Sequence, residues 1–261
     1  MSDADTLLWR VEAACRRGWP TPHETVWQGW LFRHGDGERR RVNSVNPLNT
    51  ARAEPDATIA TAEAFYRQRG ADTLFCVPSM ANDLDASLAA RGYVAIARTT
   101  TLTAPLGAAN ARHIDGDVEL AGTATDDWVA AYRVLAGTSA DDLPAFRETL
   151  GAIADPVAHA APRSEGRIAS QSYGVIHDGL LVIEAVATAP GHRRRGLAHR
   201  VVGTLLAWGR DQGAQSACLQ VLSDNLPALA LYQGLGFERE LYRYHYRAPP
   251  GSRWSVGTLI S

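Results

Sequence analysis

The first hundred residues alternate short apolar and polar stretches, and this pattern predicts strands and helices in turn. Gly35-Asp36-Gly37 has the chemistry of a hairpin turn, so strands are expected before and after it. Trp27 and Trp30 lie three apart in the first of these strands and are expected on its opposite faces. The predicted elements are a helix at Thr6–Arg17, strands at Trp27–Arg33 and Arg40–Val45, a helix at Ala57–Arg69, a strand at Thr73–Val77, a helix at Asp83–Ala90 and a strand at Tyr93–Leu102.

The chain after residue 117 predicts a second region of the same kind, with a longer helix near its middle. The apolar residues Leu197, Val201, Leu205 and Trp208 fall on one face of this helix, and Gly213 closes it. Strands and helices follow one another throughout, which indicates an α/β protein of the α+β type. The predicted elements are a strand at Val118–Leu120, helices at Asp126–Leu135 and Leu143–Ile153, strands at Val157–Pro162, Arg167–Ile176 and Leu180–Thr188, a helix at Gly196–Gln212, a strand at Ala217–Leu222, a helix at Pro227–Gln233 and a strand at Glu240–Arg247.

The two regions share one spacing of a proline and two glycines. The intervals are 23 and 22 residues in the first region and 23 and 23 in the second. Two copies of one supersecondary unit explain this regularity. We therefore predict two related modules, residues 1–105 and 117–261, joined by a Pro/Gly/Ala-rich linker at 106–116. The spaced residues are Pro47, Gly70 and Gly92 in the first module, and Pro190, Gly213 and Gly236 in the second.

The composition is that of a globular protein, with 46% hydrophobic and 21% charged residues. A formal net charge of -2 gives no reason to expect nucleic acid or an anionic membrane as the main partner. Cys15, Cys76 and Cys218 have no paired spacing, which argues against disulfides and a thiolate metal site. The N-terminal residues lack the order of a signal peptide, and no apolar run is long enough to span a membrane. A reduced, cytoplasmic protein is expected.

The most informative segment is residues 180–213, in which an apolar strand leads through a short basic loop to a helix at Gly196. The start of a helix has unpaired amide N–H groups and a partial positive charge, so acidic or capping residues are favoured there. This start carries Arg193, Arg194 and Arg195 instead. An anion with several charges, such as a pyrophosphate, explains the arginines and the glycine together. A solvated basic loop is the alternative.

Two motifs in this half of the chain resemble the GCN5-related N-acetyltransferase (GNAT) family. The pyrophosphate loop of that family reads Gln/Arg-x-x-Gly-x-Gly/Ala, and Arg193, Gly196 and Ala198 match it. Residues 223–237 are similar to the family segment Asn-x-x-Ala-x-x-Leu-Tyr-x-x-x-Gly-Phe. The resemblance covers roughly residues 115–248. The matching residues of the second motif are Asn225, Ala228, Leu231, Tyr232, Gly236 and Phe237.

The resemblance implies a mixed sheet, splayed open at its middle and flanked by helices, with acetyl-CoA bound in the cleft as co-substrate. Backbone groups of Val186, Ala187 and Thr188 would hold the thioester carbonyl and the pantetheine arm. The N-terminal module would be a degenerate copy, because its equivalent stretch, Thr50–Pro55, offers no phosphate cradle. The residues expected to hold the pyrophosphate are Arg193, Arg194, Arg195, Gly196, Leu197 and Ala198.

Three further residues are candidates for the site. The family places a tyrosine at Tyr232 near the thioester sulfur, where its hydroxyl would protonate the departing thiolate; packing beside Phe237 is the alternative. Glu184 lies inside an apolar strand, so it is either a base for the incoming ammonium or the partner of a buried arginine. Asn225 either holds the cofactor, as the family suggests, or only caps the helix that follows it.

These residues predict an acetyl-CoA-dependent N-acetyltransferase that acts on a primary amine by direct attack, without a metal. Two alternatives stay open: a non-catalytic acyl-CoA-binding module, and a transferase that uses another acyl donor. The first module is expected to complete the core, shape the acceptor pocket or form a dimer surface. The acidic pairs Asp126-Asp127 and Asp141-Asp142 indicate either a cationic acceptor or helix N-caps.

Overall fold

The computed structural model describes residues 3–107 and 114–255, without the side chains of residues 3–5. Most of the predicted linker, 106–116, therefore lies outside the described residues. From the N-terminus the elements are α1 (Asp3–Arg17), β1 (His23–Trp27), β2 (Trp30–His34), β3 (Val45–Pro47), α2 (Pro55–Arg67), β4 (Phe75–Pro78), α3 (Asp85–Ala90), β5 (Val94–Pro105), β6 (Val118–Ala121), α4 (Asp126–Ala136), α5 (Leu143–Gly151), β7 (Val157–Ser164), β8 (Arg167–Ile168), β9 (Ser170–His177), β10 (Leu180–Thr188), α6 (Leu197–Asp211), β11 (Ser216–Leu222), α7 (Leu226–Gly234) and β12 (Arg239–Ala248).

The chain forms two compact units. The first unit contains the described residues up to Pro20, from Thr101 to Val221, and from Asn225 to Leu241. The second unit contains the remaining described residues. These units group residues that pack together, whereas the predicted modules rest on a repeated order of elements along the chain. The module boundaries 1–105, 106–116 and 117–261 therefore stay predictions.

The first unit is built on a mixed sheet with the strand order β11-β10-β9-β7-β6. β10 is parallel to β11 and antiparallel to β9. One face of the sheet packs on α6, whose residues Val201 and Leu205 are fully buried. The other face packs on α1 and α4, which both contact β9 and β10. The core of this unit therefore has two layers, one on each side of β10.

The strands of the second unit lie in the order β1-β2-β3-β4-β12. β3 and β4 are parallel, whereas β4 and β12 are antiparallel. Its core contains Trp30, Phe32, Tyr66 and Phe75, all nearly inaccessible to solvent. The Tyr66 hydroxyl donates a hydrogen bond of 2.6 Å to the Arg33 carbonyl oxygen, which satisfies the buried phenol.

The prediction for the first hairpin is wrong. The expected strand Trp27–Arg33 is interrupted by a turn at Gln28 and Gly29, both with positive φ. Trp27 and Trp30 are therefore cross-strand partners rather than residues on opposite faces of one strand. The first half of the predicted strand Arg40–Val45 is a 3-10 helix, Arg40–Val42, and the strand β3 begins only at Val45. A two-residue turn beginning with glutamine gives a weaker sequence signal than Gly35-Asp36-Gly37.

The later elements were predicted closely. β10 has the predicted bounds, α6 begins and ends one residue inside its prediction, and only Arg167–Ile176 is divided, into β8 and β9. The order strand, loop, helix, strand, short helix, strand occurs from β3 to β5 and again from β10 to β12. The glycines of the predicted repeat, Gly70, Gly92, Gly213 and Gly236, all have positive φ, where a side chain would be strained.

Candidate active site

The two central strands of the first unit separate part of the way along their length. The parallel register of β10 and β11 runs from the Leu180–Ser216 pair to the Ile183–Leu219 pair and ends there. β10 nevertheless continues to Thr188 and β11 to Leu222. The sheet is therefore splayed after Ile183, as the resemblance implied, and the edge of β10 from Glu184 onward does not pair with β11.

A β-bulge lies at the start of this unpaired stretch. The register of β10 with β9 shifts between the Glu184–Tyr173 and Ala187–Gln171 pairs. Ala185, with φ 52°, is a rare left-handed alanine inside a strand. A bulge re-aims the backbone and side chains of the strand that contains it. The bulge therefore affects Val186, which the resemblance places at the thioester carbonyl.

The loop between β10 and α6 ends in a helix start without a side-chain cap. Gly196 is the N-cap of α6, with φ 78°, and a β carbon on it would meet no atom within 4 Å. The first turn of α6 contains no acidic residue. Arg194 also has positive φ, so left-handed residues surround Arg195 on both sides. Backbones of this kind turn successive N–H groups toward one point, where an anion can bind.

The three arginines of this loop are exposed, and none of them forms an ion pair with a carboxylate of residues 3–107 or 114–255. The Arg193 side chain donates a hydrogen bond from Nε to the Thr188 carbonyl oxygen, 3.3 Å away. Arg200, one turn further along α6, differs: it donates two bonds to Asp115, of 2.6 and 2.9 Å, and one of 2.8 Å to Asp117. These carboxylates raise the pKa of Arg200. Arg200 is therefore a structural residue, whereas the loop arginines are available to a ligand.

Tyr232 lies on α7 and is 7% exposed. Its ring meets that of Phe237 edge-on at 6.0 Å, and both belong to the core cluster against which Val186 packs. Tyr232 and Val186 therefore lie at the same core cluster, and the role of the Tyr232 hydroxyl as the acid stays a prediction. Asn225 caps α7 through its side chain, which accepts a bond of 3.3 Å from the Ala228 amide. The capping interpretation of Asn225 is thus confirmed, and its cofactor role stays a prediction.

Glu184 is 4% exposed and faces the α1 side of the sheet. A β carbon added to Gly18, the residue after α1, would lie 3.4 Å from Glu184 Cγ. Tyr173, opposite Glu184 on β9, donates a 2.8 Å bond from its hydroxyl to the Gly18 carbonyl oxygen. Ser172 donates to the Glu184 carbonyl oxygen at 2.7 Å. Hydrogen bonds therefore fix the backbone around the Glu184 carboxylate.

A group of buried polar residues beside Glu184 was missed from the sequence. It contains Gln171 and His159, which lie on β9 and β7, and Trp128 on α4. Their exposed fractions are between 0% and 4%. The sequence signal was weak, because glutamine and histidine in short strands are more often found at the surface. These residues matter because buried polar atoms normally have partners.

The acidic pair Asp126-Asp127 forms ion pairs with arginines and does not cap α4. Thr125 is the N-cap of α4, since its hydroxyl accepts a 3.2 Å bond from the Trp128 amide. Asp126 pairs with Arg147 and Asp127 with Arg163 on the helix surface. At the second pair, Asp142 holds the N-cap position of α5 but its side chain does not accept a capping bond from the helix, and Ser139 caps the preceding 3-10 helix. The prediction that these acidic side chains cap the helices is therefore wrong.

The loop before α2 in the second unit, which the sequence predicts to offer no phosphate cradle, differs from the loop before α6 in the contacts of its arginine. The arginine there, Arg52, is bound to Asp83 at 2.6 Å and stacks over Trp30. A surface pocket of about 500 Å³ does occur in this unit. Its charged lining is mixed, with Glu63 and Asp72 opposing two arginines, so it has no surplus of positive charge.

Within residues 3–107 and 114–255, no group of three or more potential metal ligands is found. In the same part of the chain, no helix is both long and apolar enough to cross a membrane.

The fold recurs in solved structures of low sequence identity. A GCN5-related N-acetyltransferase from Kribbella flavida has a TM-score of 0.66 at 18% identity, over 95% of this chain and 96% of that one. A tandem GNAT protein from the clavulanic acid biosynthesis pathway has a TM-score of 0.60 at 14% identity, over 78% of this chain and 74% of that one. The splayed sheet with its basic loop therefore has the fold of the GNAT acetyltransferases.

The sequence comparisons identify the family. The family model described as "Probable histone acetyltransferase Rv0428c C-terminal" matches residues 8–247. The chain belongs to this family of GNAT N-acetyltransferases. It is also 23% identical over 243 residues to an uncharacterized N-acetyltransferase, YobR, from Bacillus subtilis (strain 168), covering 91% of this chain and 97% of YobR.

Proposed function

We propose that the protein transfers an acetyl group from acetyl-CoA to a primary amine, by direct attack in a ternary complex. The observation that carries this proposal is the set of three exposed guanidinium groups beside the uncapped start of α6. Three positive charges and a positive helix end repel one another unless an anion lies between them. A pyrophosphate supplies that charge and accepts several hydrogen bonds at once.

The residues around the cleft suit the other parts of CoA as well. The open space at the Gly196 Cα leaves room for phosphate oxygens to approach the backbone. The amides of Leu197 and Ala198 belong to the first turn of α6, where helical partners are missing. Beyond Ile183 the edge of β10 is free of β11, so backbone groups of Val186 to Thr188 can pair with the pantetheine amides.

In the proposed mechanism the chain mainly positions the reactants. Bound acetyl-CoA supplies an activated acyl group as a thioester. Glu184 takes a proton from the acceptor ammonium, directly or through water, so that the amine nitrogen can form its bond to the acyl carbon. The N–H near Val186 donates to the acyl oxygen as negative charge develops there. Tyr232 gives its hydroxyl proton to the sulfur as the carbon–sulfur bond breaks, and the second proton of the acceptor nitrogen, lost as the amide forms, restores the tyrosine hydroxyl directly or through water.

Release of free CoA from acetyl-CoA in the presence of an amine panel tests this proposal. The wild-type protein should release CoA with at least one amine, and Tyr232→Phe should lower kcat about 100-fold. Tyr132→Phe is the matched control, because Tyr132 is a buried tyrosine of the same unit on α4. CoA binding without turnover on any amine would instead favour the non-catalytic module, and turnover only with longer acyl-CoA would favour another donor.

The acceptor panel should include protein lysines, because the description of the matching family names a histone acetyltransferase. A peptide with a histone-tail sequence therefore belongs beside small amines. The cytoplasmic location, a homodimer and the absence of nucleic-acid and membrane partners remain predictions from the sequence.

A further inference from the structure

The pocket of about 500 Å³ in the second unit is open to small molecules. Its lining comes from the end of α2, the loop that follows, the junction of α3 and β5, and the segment after β12. A β carbon on Gly70, which lines the pocket, would meet no atom within 4 Å. All the lining residues belong to the second unit, whereas the loop before α6 belongs to the first. The pocket is therefore separate from the proposed phosphate site.

Two opposite charges line this pocket one helical turn apart on α2, Glu63 and Arg67. This spacing commonly allows an ion pair on a helix surface. Among residues 3–107 and 114–255, however, neither side chain forms an ion pair, and Arg67 forms no hydrogen bond either. Two charges that line one space without meeting each other can both be satisfied by a ligand that carries both signs of charge.

The Glu63 carboxylate is oriented by buried neighbours. The Tyr93 hydroxyl donates a hydrogen bond of 2.8 Å to Glu63 Oε1, and Thr73 also hydrogen bonds to this hydroxyl. Burial, followed by the bond to Glu63, raises the pKa of Tyr93, so the hydroxyl keeps the proton that it donates. Tyr93 and Thr73 are 7% and 5% exposed. A carboxylate fixed in this way loses little conformational freedom when it accepts a bond from a ligand.

A second carboxylate of the pocket, Asp72, is held by the backbone. Its Oδ2 accepts a 3.0 Å bond from the Arg253 amide, and its carbonyl oxygen accepts one of 3.1 Å from Trp254 Nε1. The other lining arginine, Arg91, pairs with Asp56 at 2.9 Å. Within the described part of the chain, the lining charges without an ionic partner are thus two carboxylates and one guanidinium.

We propose that this pocket binds a free α-amino acid, with its ammonium group at Glu63 and its carboxylate at Arg67. A guanidinium can bind a carboxylate through two parallel hydrogen bonds, and the negative charge of Asp72 further favours an ammonium group. An α-amino acid carries both groups on one carbon, so it can join side chains one turn apart. The volume also leaves room for an amino acid side chain, since ligand pockets are commonly about 300–1,000 Å³. This binding is independent of the proposed acetyl transfer.

Thermal unfolding of the full chain with each of the standard L-amino acids, at about 10 mM, tests the proposal first. At least one of them should raise Tm, and isothermal titration should then show one bound molecule per chain. The matched amine without the carboxylate and the matched acid without the amine should each bind about tenfold or more weakly, because each leaves one of the two charges without a partner.

Two variants locate the binding. Arg67→Met keeps the length of the side chain and removes its charge, and Glu63→Gln keeps the shape and can still accept the Tyr93 bond. Each should weaken binding of the amino acid about tenfold or more. Arg69→Met is the matched control, because Arg69 lies near the same helix end but does not line the pocket. Its affinity for the amino acid should stay within about twofold of the wild type.

The proposal is overturned if no amino acid raises Tm, or if the matched amine or acid binds as tightly as the amino acid. It is overturned as well if Arg67→Met and Glu63→Gln both bind as the wild type does, which would leave Arg67 as a solvated cation near the end of α2. Arg193→Ala/Arg195→Ala should bind the amino acid normally. Loss of binding there would place the amino acid in the first unit instead, whereas loss of acetyl-CoA binding alone bears only on the proposed function.

Discussion

Gly18 lies directly against Glu184: a β carbon at Gly18 would be 3.4 Å from Glu184 Cγ and 3.7 Å from Oε1. The residue that follows α1 thus fixes the space available to a carboxylate on β10. The Tyr173 hydroxyl ties the same glycine to β9. The C-terminal end of α1 therefore packs against Glu184, the candidate base.

Enlarging Gly18 should displace Glu184 without touching the phosphate loop. A single methyl group at 3.4 Å makes an ordinary contact, so Gly18→Ala should keep most of the activity. The branched side chain of Gly18→Val reaches further and should lower kcat about tenfold or more, because small displacements in an active site have large effects. Steady-state kinetics together with the acetyl-CoA Kd checks this. Equal activity of the two variants would show that the position of Glu184 is unimportant.

Glu184→Gln should lower kcat about 100-fold at pH 7 and leave acetyl-CoA affinity within about twofold, because a base is lost and the shape is kept. The deficit should shrink as the pH rises toward the pKa of an alkylamine, about 10, since the acceptor then loses its proton to solvent. Glu12→Gln is the control, because Glu12 is an equally buried carboxylate, paired with Arg16 on α1. A similar loss in both variants would argue against a specific role for Glu184.

Burial lowers the pKa of His159 to about 4, and this predicts a pH dependence of stability. Between the folded pKa and the usual value of about 6.5, the unfolded chain binds a proton that the folded chain does not. Stability should therefore rise with pH across this window and be lost as the pH falls through it, by on the order of 3 kcal/mol. His159→Phe, which keeps a ring, should flatten the profile from urea denaturation, while His199→Ala at an exposed position should not. An unchanged slope in His159→Phe would contradict the burial of a neutral imidazole.

The sequence predicted the elements around the phosphate loop well, because strong local signals bound them. The apolar run of β10 ends at a proline, and the loop arginines break the ordinary rule for helix starts. The spacing of the same residues identified the basic loop and Tyr232 as candidate site residues. Such local signals can be read from a single sequence, because they do not depend on tertiary contacts.

Other features had no local signal. Ala185 takes a left-handed conformation that alanine rarely adopts, so the bulge was not predictable from its residue type. The burial of Gln171 depends on helices packed over β9 from distant parts of the chain. The contact between Gly18 and Glu184 joins residues that lie 166 positions apart in the sequence. Long-range packing of this sort decides the acceptor side of the site, which is where sequence reasoning ended.

The central claim is that the loop before α6 binds the pyrophosphate of acetyl-CoA, and isothermal titration measures it most directly. The wild-type protein should bind one acetyl-CoA per chain with micromolar affinity. Arg193→Ala/Arg195→Ala should weaken binding about 10- to 100-fold, because two charge-assisted contacts are lost. Arg210→Ala, at the other end of α6, should bind as the wild type does. No binding by the wild type, or equal affinity in the loop variant, would contradict the account; two molecules bound per chain would contradict the absence of a phosphate cradle in the second unit.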